Sequence, residues 1–179
     1  LGRYRDVLAT FSPDRDPFSW AQTQVNLGRI SLELGEKEQS NERLNVAVQA
    51  LDAAAKLPAS RIGGSLQAQA LFHGGKAHFE IGSRTGSLEE LALAAGQMAA
   101  ARQAYAAIGD EYQSIVAQFN EAIAYGKWAD IDRDEASIAR ARSAFQNVKE
   151  RARGAGQTDL VEGAGVMLER LPTQTGAAQ

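Results

Sequence analysis

The sequence predicts an all-α protein, a solenoid of antiparallel helical hairpins that repeats every 47 residues. Three observations support this prediction. Equivalent apolar and small residues recur at a fixed offset, helix start and stop signals bracket two segments in each repeat, and the Ala-rich chain has only 7% aromatic residues and four prolines. A fixed period between about 20 and 50 residues is typical of helical arrays, and small side chains favour closely packed helices.

The repeat consists of columns of residues that align without gaps. One column joins Val25, Phe72 and Phe119, each 47 positions after the last. Four further columns in the second half of each repeat are separated by 3, 4 and 3 positions, which is the period of one helix face. These columns are Leu44, Leu91 and Ile138; Ala47, Ala94 and Ala141; Leu51, Met98 and Phe145; and Ala54, Ala101 and Val148.

Each repeat contains two predicted helices, A and B. In the first repeat, Pro17 precedes helix A, which spans 18–34, and Gly35 follows it. Pro is favoured at helix starts and Gly just past helix ends. Helix B is predicted over 41–57, with Ser40 or Asn41 as its N-cap and Pro58 as its stop.

The second repeat has a predicted helix A over 65–81, ended by Gly82. Its helix B begins near Ser87 and runs to Ile108, where Gly109 ends it. The segment from Ser87 to Glu90 has the pattern of a capping box.

The third repeat has predicted helices over 111–128 and 135–153, the second ended by Gly154. The chain also has half repeats at its two ends. Residues 1–11 match the second half of a helix B, and 158–171 is predicted to be a capping helix.

A single repeat domain is therefore predicted over 1–172, followed by a disordered tail over 173–179. Its units are 18–64, 65–110 and 111–157.

The first repeat resembles a tetratricopeptide repeat. Asn26-Leu27-Gly28, followed seven residues later by Leu34-Gly35, is similar to the helix A signature of that family. The small, large and small residues of helix B, spaced by 4 and 3, also match the family pattern. The resemblance covers about residues 18–153 and implies a right-handed superhelix. The family repeat has about 34 residues, so the surplus is expected in both loops or in the helix ends beside them.

The resemblance also implies that the A helices line a concave groove. There, the apolar column of Val25, Phe72 and Phe119 is flanked by cations, which suits a peptide with acidic groups. The alternative is that Phe72 and Phe119 belong to the core between repeats. The predicted groove residues are Gln22, Val25, Arg29, Leu32, Glu33, Gln69, Phe72, Lys76, Phe79, Glu80, Val116, Phe119, Ile123, Gly126 and Lys127.

The sequence favours a protein-binding scaffold over an enzyme. The chain has no Cys, which excludes disulfides, zinc–thiolate sites and thiol nucleophiles. His73 and His78 lie five positions apart on a predicted helix and point in different directions, so they are poor joint metal ligands. Each is expected to be a packed or groove-lining side chain. No catalytic residue, metal or cofactor is predicted.

Two charged segments have competing interpretations. Asp130, Asp132 and Asp134 resemble the start of a calcium loop, but Glu135 occupies the required glycine position and Ala141 the closing glutamate position. We expect a solvated loop instead. The last B helix is basic, and we expect a solvated face there rather than a site for phosphate or an acidic partner. Its cations are Arg140, Arg142, Lys149, Arg151 and Arg153.

The expected partner is a protein or peptide. A net charge of −3 argues against nucleic acid, and no apolar run approaches the roughly 20 residues that span a bilayer. We expect a cytoplasmic protein. One alternative is a regulatory or sensory segment of a larger multidomain protein, because the chain begins at Leu1 without Met. Another is a module that forms homo-oligomers through its open ends.

Overall fold

The described part of the chain is helical throughout, without β-strands. A computed structural model describes residues 12–172. The predicted N-terminal half repeat, 1–11, and the predicted tail, 173–179, lie outside the described residues. No helix in the described range combines the length and apolar character needed to cross a membrane. The eight helices there are α1 (Pro17–Lys37), α2 (Asn41–Ala55), α3 (Ala59–Ile62), α4 (Gly64–Thr85), α5 (Leu88–Ala107), α6 (Glu111–Asp132), α7 (Glu135–Gly154) and α8 (Thr158–Arg170).

Side-chain caps fix the starts of five helices close to the predicted positions. The Asp16 carboxylate accepts a hydrogen bond from the Ser19 backbone N–H at 3.0 Å. The Ser40 hydroxyl accepts one from the Arg43 N–H at 3.3 Å. Each such cap stabilises a helix by about 1 kcal/mol. The five capping residues are Asp16, Ser40, Ser87, Asp110 and Asp134.

The predicted ends of all three A helices are wrong, and α6 runs to Asp132, four residues past its predicted end. Gly35 and Gly82 lie inside α1 and α4, which continue for two and three further residues. Both glycines are buried against the following B helix. An added Cβ would lie 2.7 Å from Leu44 Cδ2 at Gly35 and 2.9 Å from Leu91 Cγ at Gly82. These glycines therefore allow two helices to approach closely, and they do not end a helix.

The predicted ends of the B helices agree better with the structure. α5 ends at Ala107, and Gly109 has a φ of 78°, in the left-handed region that glycine adopts readily. Pro58 follows α2 as predicted, but the four-residue helix α3 comes directly after it.

Between the A and B helices, the extra residues of the repeat lie in the helix ends, whereas the return from α2 to α4 takes eight residues, 56–63, which include α3. α1, α4 and α6 contain 21, 22 and 22 residues. The connections from these helices to α2, α5 and α7 contain only two or three residues. The extra residues were predicted to lie either in the loops or in the helix ends. For the connection from each A helix to its B helix, the helix ends are correct.

The helices pack in chain order. The short connections make antiparallel hairpins of α1 with α2, α4 with α5, and α6 with α7. Each B helix also contacts the next A helix, in the pairs α2–α4, α5–α6 and α7–α8. The A helices contact one another in succession, α1 with α4, α4 with α6 and α6 with α8, whereas α1 and α6 make no contact within residues 12–172.

Small residues let the two helices of a hairpin approach closely. An added Cβ at Gly28 would lie 2.3 Å from Leu51 Cγ, and one at Gly75 would lie 3.1 Å from Met98 Cγ. The predicted core columns of helix B are confirmed, because all of their members are buried. Those residues are Leu44, Ala47, Leu51, Ala54, Leu91, Ala94, Met98, Ala101, Ile138, Ala141, Phe145 and Val148.

Gly28→Ala should destabilise the protein, whereas Gly96→Ala should stabilise it. Both glycines lie inside helices, so both substitutions gain about 1 kcal/mol in helix propensity. At Gly28 the added methyl group overlaps Leu51, and overpacking costs about 1–3 kcal/mol. At Gly96 nothing lies within 4 Å of the added Cβ. Urea unfolding of the two variants measures the difference, and stabilisation by both would contradict the close approach of α1 and α2.

Candidate functional site

A cavity of about 450 Å³ lies between the end of α1, α4, α5 and α6. Three small residues, Gly75, Ala94 and Ala124, leave space between the helices, and Phe79 and Met98 provide larger apolar surfaces. Its lining residues are Glu36, Gln39, Gly75, Lys76, Phe79, Glu80, Arg84, Ala94, Met98, Asn120, Ile123 and Ala124.

A smaller cavity of about 140 Å³ extends this space along α4, α6 and α8. The two cavities share Phe79 and Ile123, so they form one continuous surface, here named the A-helix groove. The other residues that line the smaller cavity are Gly126, Lys127, Asp130, Met167, Arg170 and Leu171.

Charges of both signs surround the A-helix groove. Arg84 is already engaged, since it donates a hydrogen bond to the Gly35 carbonyl at 3.2 Å and lies 3.4 Å from the Glu80 carboxylate. Within residues 12–172, none of the ion pairs includes Lys76, Lys127 or Arg170. These three cations are therefore available to an acidic group of a partner.

Some of the predicted groove residues line the A-helix groove, and others are buried in the core. Val25 and Leu32 are 0% and 3% exposed, in a core cluster with residues of α2 and α4. Their prediction as groove residues is wrong, because α4 packs across this face of α1. The predicted residues that do line the groove are Lys76, Phe79, Glu80, Ile123, Gly126 and Lys127.

The aromatic column belongs to the interior, which was the predicted alternative. Phe72 is half-buried, with its ring edge-to-face against Tyr105 at a centroid distance of 6.3 Å. Phe119 packs in the same manner on Phe145 at 6.1 Å. Val116 and Phe119 also pack against the buried residues Ile115, Ala152 and Leu160. These side chains hold successive helices together and do not line the groove.

The remaining predicted residues lie outside the A-helix groove. Arg29 and Glu33 line a separate cavity of about 190 Å³ on α1. Gln22 donates a weak hydrogen bond to Asn26 at 3.5 Å, and Gln69 donates one to Ser65 at 3.2 Å. The groove therefore lies on the second and third A helices rather than along all three.

Sequence reasoning missed the contribution of α8. Arg170 and Met167 line the smaller cavity, although α8 was predicted only as a capping helix. A signal was present, because Arg170 lies 47 positions after Ile123 and Met167 lies 47 positions after Asn120. Extending the column of Arg29, Lys76 and Ile123 into α8 would have placed Arg170, whereas Met167 continues the column of Asn120, which was not predicted to line the groove.

A buried polar cluster joins α2, α4 and α5. His78 is 4% exposed, its Nδ1 lies 2.7 Å from Glu90 Oε2, and its Nε2 lies 3.6 Å from Asp52 Oδ2. Gln97 donates a hydrogen bond to Asp52 at 2.6 Å. Burial alone would lower the pKa of His78, but the two carboxylates outweigh burial and raise it above 6.5. When the ring is protonated, it forms ion pairs with both carboxylates and so links three helices.

This cluster alters the predicted capping box. The Ser87 hydroxyl accepts a hydrogen bond from the Glu90 N–H at 3.2 Å, as predicted. The Glu90 carboxylate binds His78 instead of returning to the Ser87 N–H, whose acceptor is the Thr85 hydroxyl. Half of the predicted capping box is therefore wrong.

His73 has a different environment from His78. It lies beside Phe72, with ring centroids 5.5 Å apart. Burial and the charges of Arg29 and Lys76 lower its pKa to about 4. Within residues 12–172, no group of His, Asp and Glu side chains is arranged to hold a metal ion.

The prediction of a loop for the acidic segment is wrong for Asp130 and Asp132, which lie in the last turn of α6, whereas Asp134 follows α6 and caps α7. The Asp132 carboxylate accepts hydrogen bonds from Trp128 Nε1 at 2.7 Å and from the Ser137 hydroxyl at 2.6 Å. Asp134 accepts one from the Ala136 N–H at 3.1 Å and caps α7. Their oxygen atoms are thus engaged with neighbouring residues of the chain.

Comparison of the chain with protein-family models, curated proteins and solved structures gives no match. The geometry of the A-helix groove and the chemistry of its lining therefore provide the basis for a functional proposal.

His78→Gln should lower the free energy of unfolding more at mildly acidic pH than at alkaline pH. Because the folded state raises the pKa of His78, the stabilisation from its protonated ring is fully present below pH 6.5. It is lost as the pH rises through the raised pKa. The difference in free energy of unfolding between wild type and variant should therefore shrink from mildly acidic to alkaline pH, in urea titrations at each pH.

His73→Gln should give the opposite trend and serves as the matched control. The folded state favours neutral His73, so its contribution is present above pH 6.5 and is lost as the pH falls towards about 4. Parallel pH profiles for the two variants would contradict the assigned surroundings of the two rings.

Proposed function

We propose that this chain is a protein-binding scaffold that holds a peptide or a segment of a partner protein in the A-helix groove. The cavity of about 450 Å³ between α4, α5 and α6 is the observation that carries the proposal. Specific binding surfaces combine an apolar centre with a charged rim. Here Phe79, Ile123 and Met98 would form the centre, and the rim would be formed by the charged side chains of the groove.

The proposed architecture is a right-handed superhelix similar to tetratricopeptide repeat proteins. The order of helix packing supports it, since each hairpin contacts only the helices before and after it in the described chain. The 47-residue columns support it as well, because they place equivalent residues at equivalent contacts. Stacked hairpins with a small rotation per repeat give a concave surface suited to a partner.

The chemistry of the groove favours a segment with an apolar anchor next to acidic groups. Small residues at Gly75, Ala94 and Ala124 would let the backbone or a helix of the partner approach closely. Lys76 and Lys127 would then pair with carboxylates of the partner. Exposed pairs of this kind contribute little affinity each, so the apolar anchor would provide most of the binding energy.

An enzymatic function has less support from the same geometry. Neither histidine lines the groove, and His78 is buried between Asp52 and Glu90. The polar groups that do line it, such as Lys76 and Asn120, suit recognition of a partner.

Substitutions in the groove should weaken binding of peptides that are selected on this protein from a random display library. Phe79→Ala removes the proposed apolar contact and should weaken binding by about 2 kcal/mol, or roughly thirtyfold. Lys76→Glu should weaken binding of acidic peptides by reversing the sign of a rim charge. Fluorescence anisotropy with labelled peptides measures both effects.

Lys56→Glu is the matched control for the charge reversal, because Lys56 is exposed at the end of α2 and lies outside the groove lining. Thermal melts check that Phe79→Ala remains folded. Selected peptides that bind wild type, Phe79→Ala and Lys76→Glu with equal affinity would overturn the proposed site.

A further inference from the structure

A second cleft lies on another face of α6. Gln118, Glu121 and Tyr125, spaced by 3 and 4 positions, point into it, whereas Asn120 and Ile123 of the same helix line the A-helix groove. This space of about 390 Å³ lies between α5, α6 and α7, and we name it the α5–α7 cleft. Its lining residues are Arg102, Gln118, Glu121, Tyr125, Arg140, Ser143, Ala144 and Asn147.

Arg102 brings an incompletely satisfied guanidinium to this cleft. Its Nε forms an ion pair with Glu121 Oε2 at 3.4 Å, but this buried donor makes no hydrogen bond in the described structure. An unsatisfied buried donor is costly. Burial raises the pKa of Glu121, although the nearby charge of Arg102 opposes this rise. Glu121 thus pairs with Arg102 through Nε alone, and within residues 12–172 the two terminal nitrogens of Arg102 donate no hydrogen bond, so they are left for a ligand.

Arg140 reaches the same cleft from α7. Its guanidinium lies over the Tyr125 ring, 5.6 Å from the ring centroid. None of the ion pairs in residues 12–172 includes Arg140. Burial would raise the pKa of Asp132, but hydrogen bonds from Ser137, Asp134 and Trp128 outweigh it and lower the pKa, and the charge of Arg140 makes the smallest contribution. Arg140 is also exposed, so its guanidinium keeps donors for a ligand.

Neutral donors complete the lining of the cleft. Ser143 and Asn147 lie one helical turn apart on α7 and both line it. The Gln118 carbonyl oxygen accepts a hydrogen bond from Arg151 at 2.9 Å, so its amide nitrogen is left as a donor. Two guanidinium groups, a hydroxyl and two amides therefore surround one space.

We propose that the α5–α7 cleft binds a phosphate monoester, with Arg102 and Arg140 contacting the phosphate oxygens and Ser143 and Asn147 donating further hydrogen bonds. Arginine forks match the geometry of phosphate, and charge-assisted hydrogen bonds are the strong ones. Glu121 faces the same space and would repel an anion beside it. It would instead accept a hydrogen bond from a hydroxyl or N–H group in the organic part of the ester.

The arginines of α7 have different roles in this proposal. Arg151 is engaged with Glu111 at 2.9 Å and with the Ser114 hydroxyl at 2.8 Å, so it holds α7 against α6. Arg140 is the cation of α7 that lines the cleft. A solvated face was expected for the whole helix, but the structure separates a packing arginine from one available to a ligand.

The test is a titration of the full chain followed by two-dimensional NMR of backbone and arginine side-chain N–H groups. The probes are inorganic phosphate, a hexose phosphate and a short phosphoserine peptide, each at constant ionic strength. We expect saturable shifts at Arg102, Arg140 and Asn147 with at least one ester. The ester that binds more tightly, hexose phosphate or phosphopeptide, identifies the source of the phosphate group.

Arg140→Ala should weaken ester binding by about ten- to a hundredfold, the loss expected for one charge-assisted contact. Arg153→Ala is the matched control, because Arg153 is an exposed arginine on the same helix and lies outside the cleft lining. Phe79→Ala should leave ester binding unchanged, which separates this site from the A-helix groove.

Three results would overturn the proposal: no saturable shift with either ester at millimolar concentration, equal weakening by Arg140→Ala and Arg153→Ala, or binding of simple carboxylates as tight as that of the esters. Equal weakening would reveal non-specific attraction to a basic helix.

Discussion

The close approach of each A helix to its B helix is the contact on which the rest of the structure depends. Gly28 faces Leu51 and Gly75 faces Met98, so a larger residue at either glycine would push the two helices apart. Gly35 and Gly82 lie seven residues later, nearer the connection to the B helix, and contact Leu44 and Leu91 in the same way. These contacts recur 47 residues apart in the first two hairpins, and in the third the buried alanines Ala122 and Ala129 hold the equivalent positions.

The same small residues shape both the A-helix groove and the packed interior. Gly75 and Ala94 bring α4 and α5 together, and they also leave the space that becomes the floor of the A-helix groove. The His78 cluster then ties α4 to α2 and α5 at the level of this hairpin. α6 lies between the groove and the α5–α7 cleft and contributes a different face to each.

The sequence predicted the buried faces of the B helices because their apolar and small residues recur every three or four positions, within a short stretch of chain. It predicted the helix ends less well, since a glycine such as Gly35 can either end a helix or admit a neighbouring one. The A helices are apolar on more than one face, so the sequence did not reveal that α4 covers Val25. The partners of His78 lie 12 and 26 positions away, beyond any local pattern.

Stacking of the hairpins in chain order, as opposed to closure into a bundle, is tested most directly by nuclear Overhauser contacts between methyl and aromatic groups. We expect contacts between α4 and α6, such as Phe79 with Ala124, and between α6 and α8, such as Phe119 with Ala164. We expect none between α1 and α6 or α8. A set of contacts that joins α1 to α8 would show a closed bundle and would contradict the proposed open array.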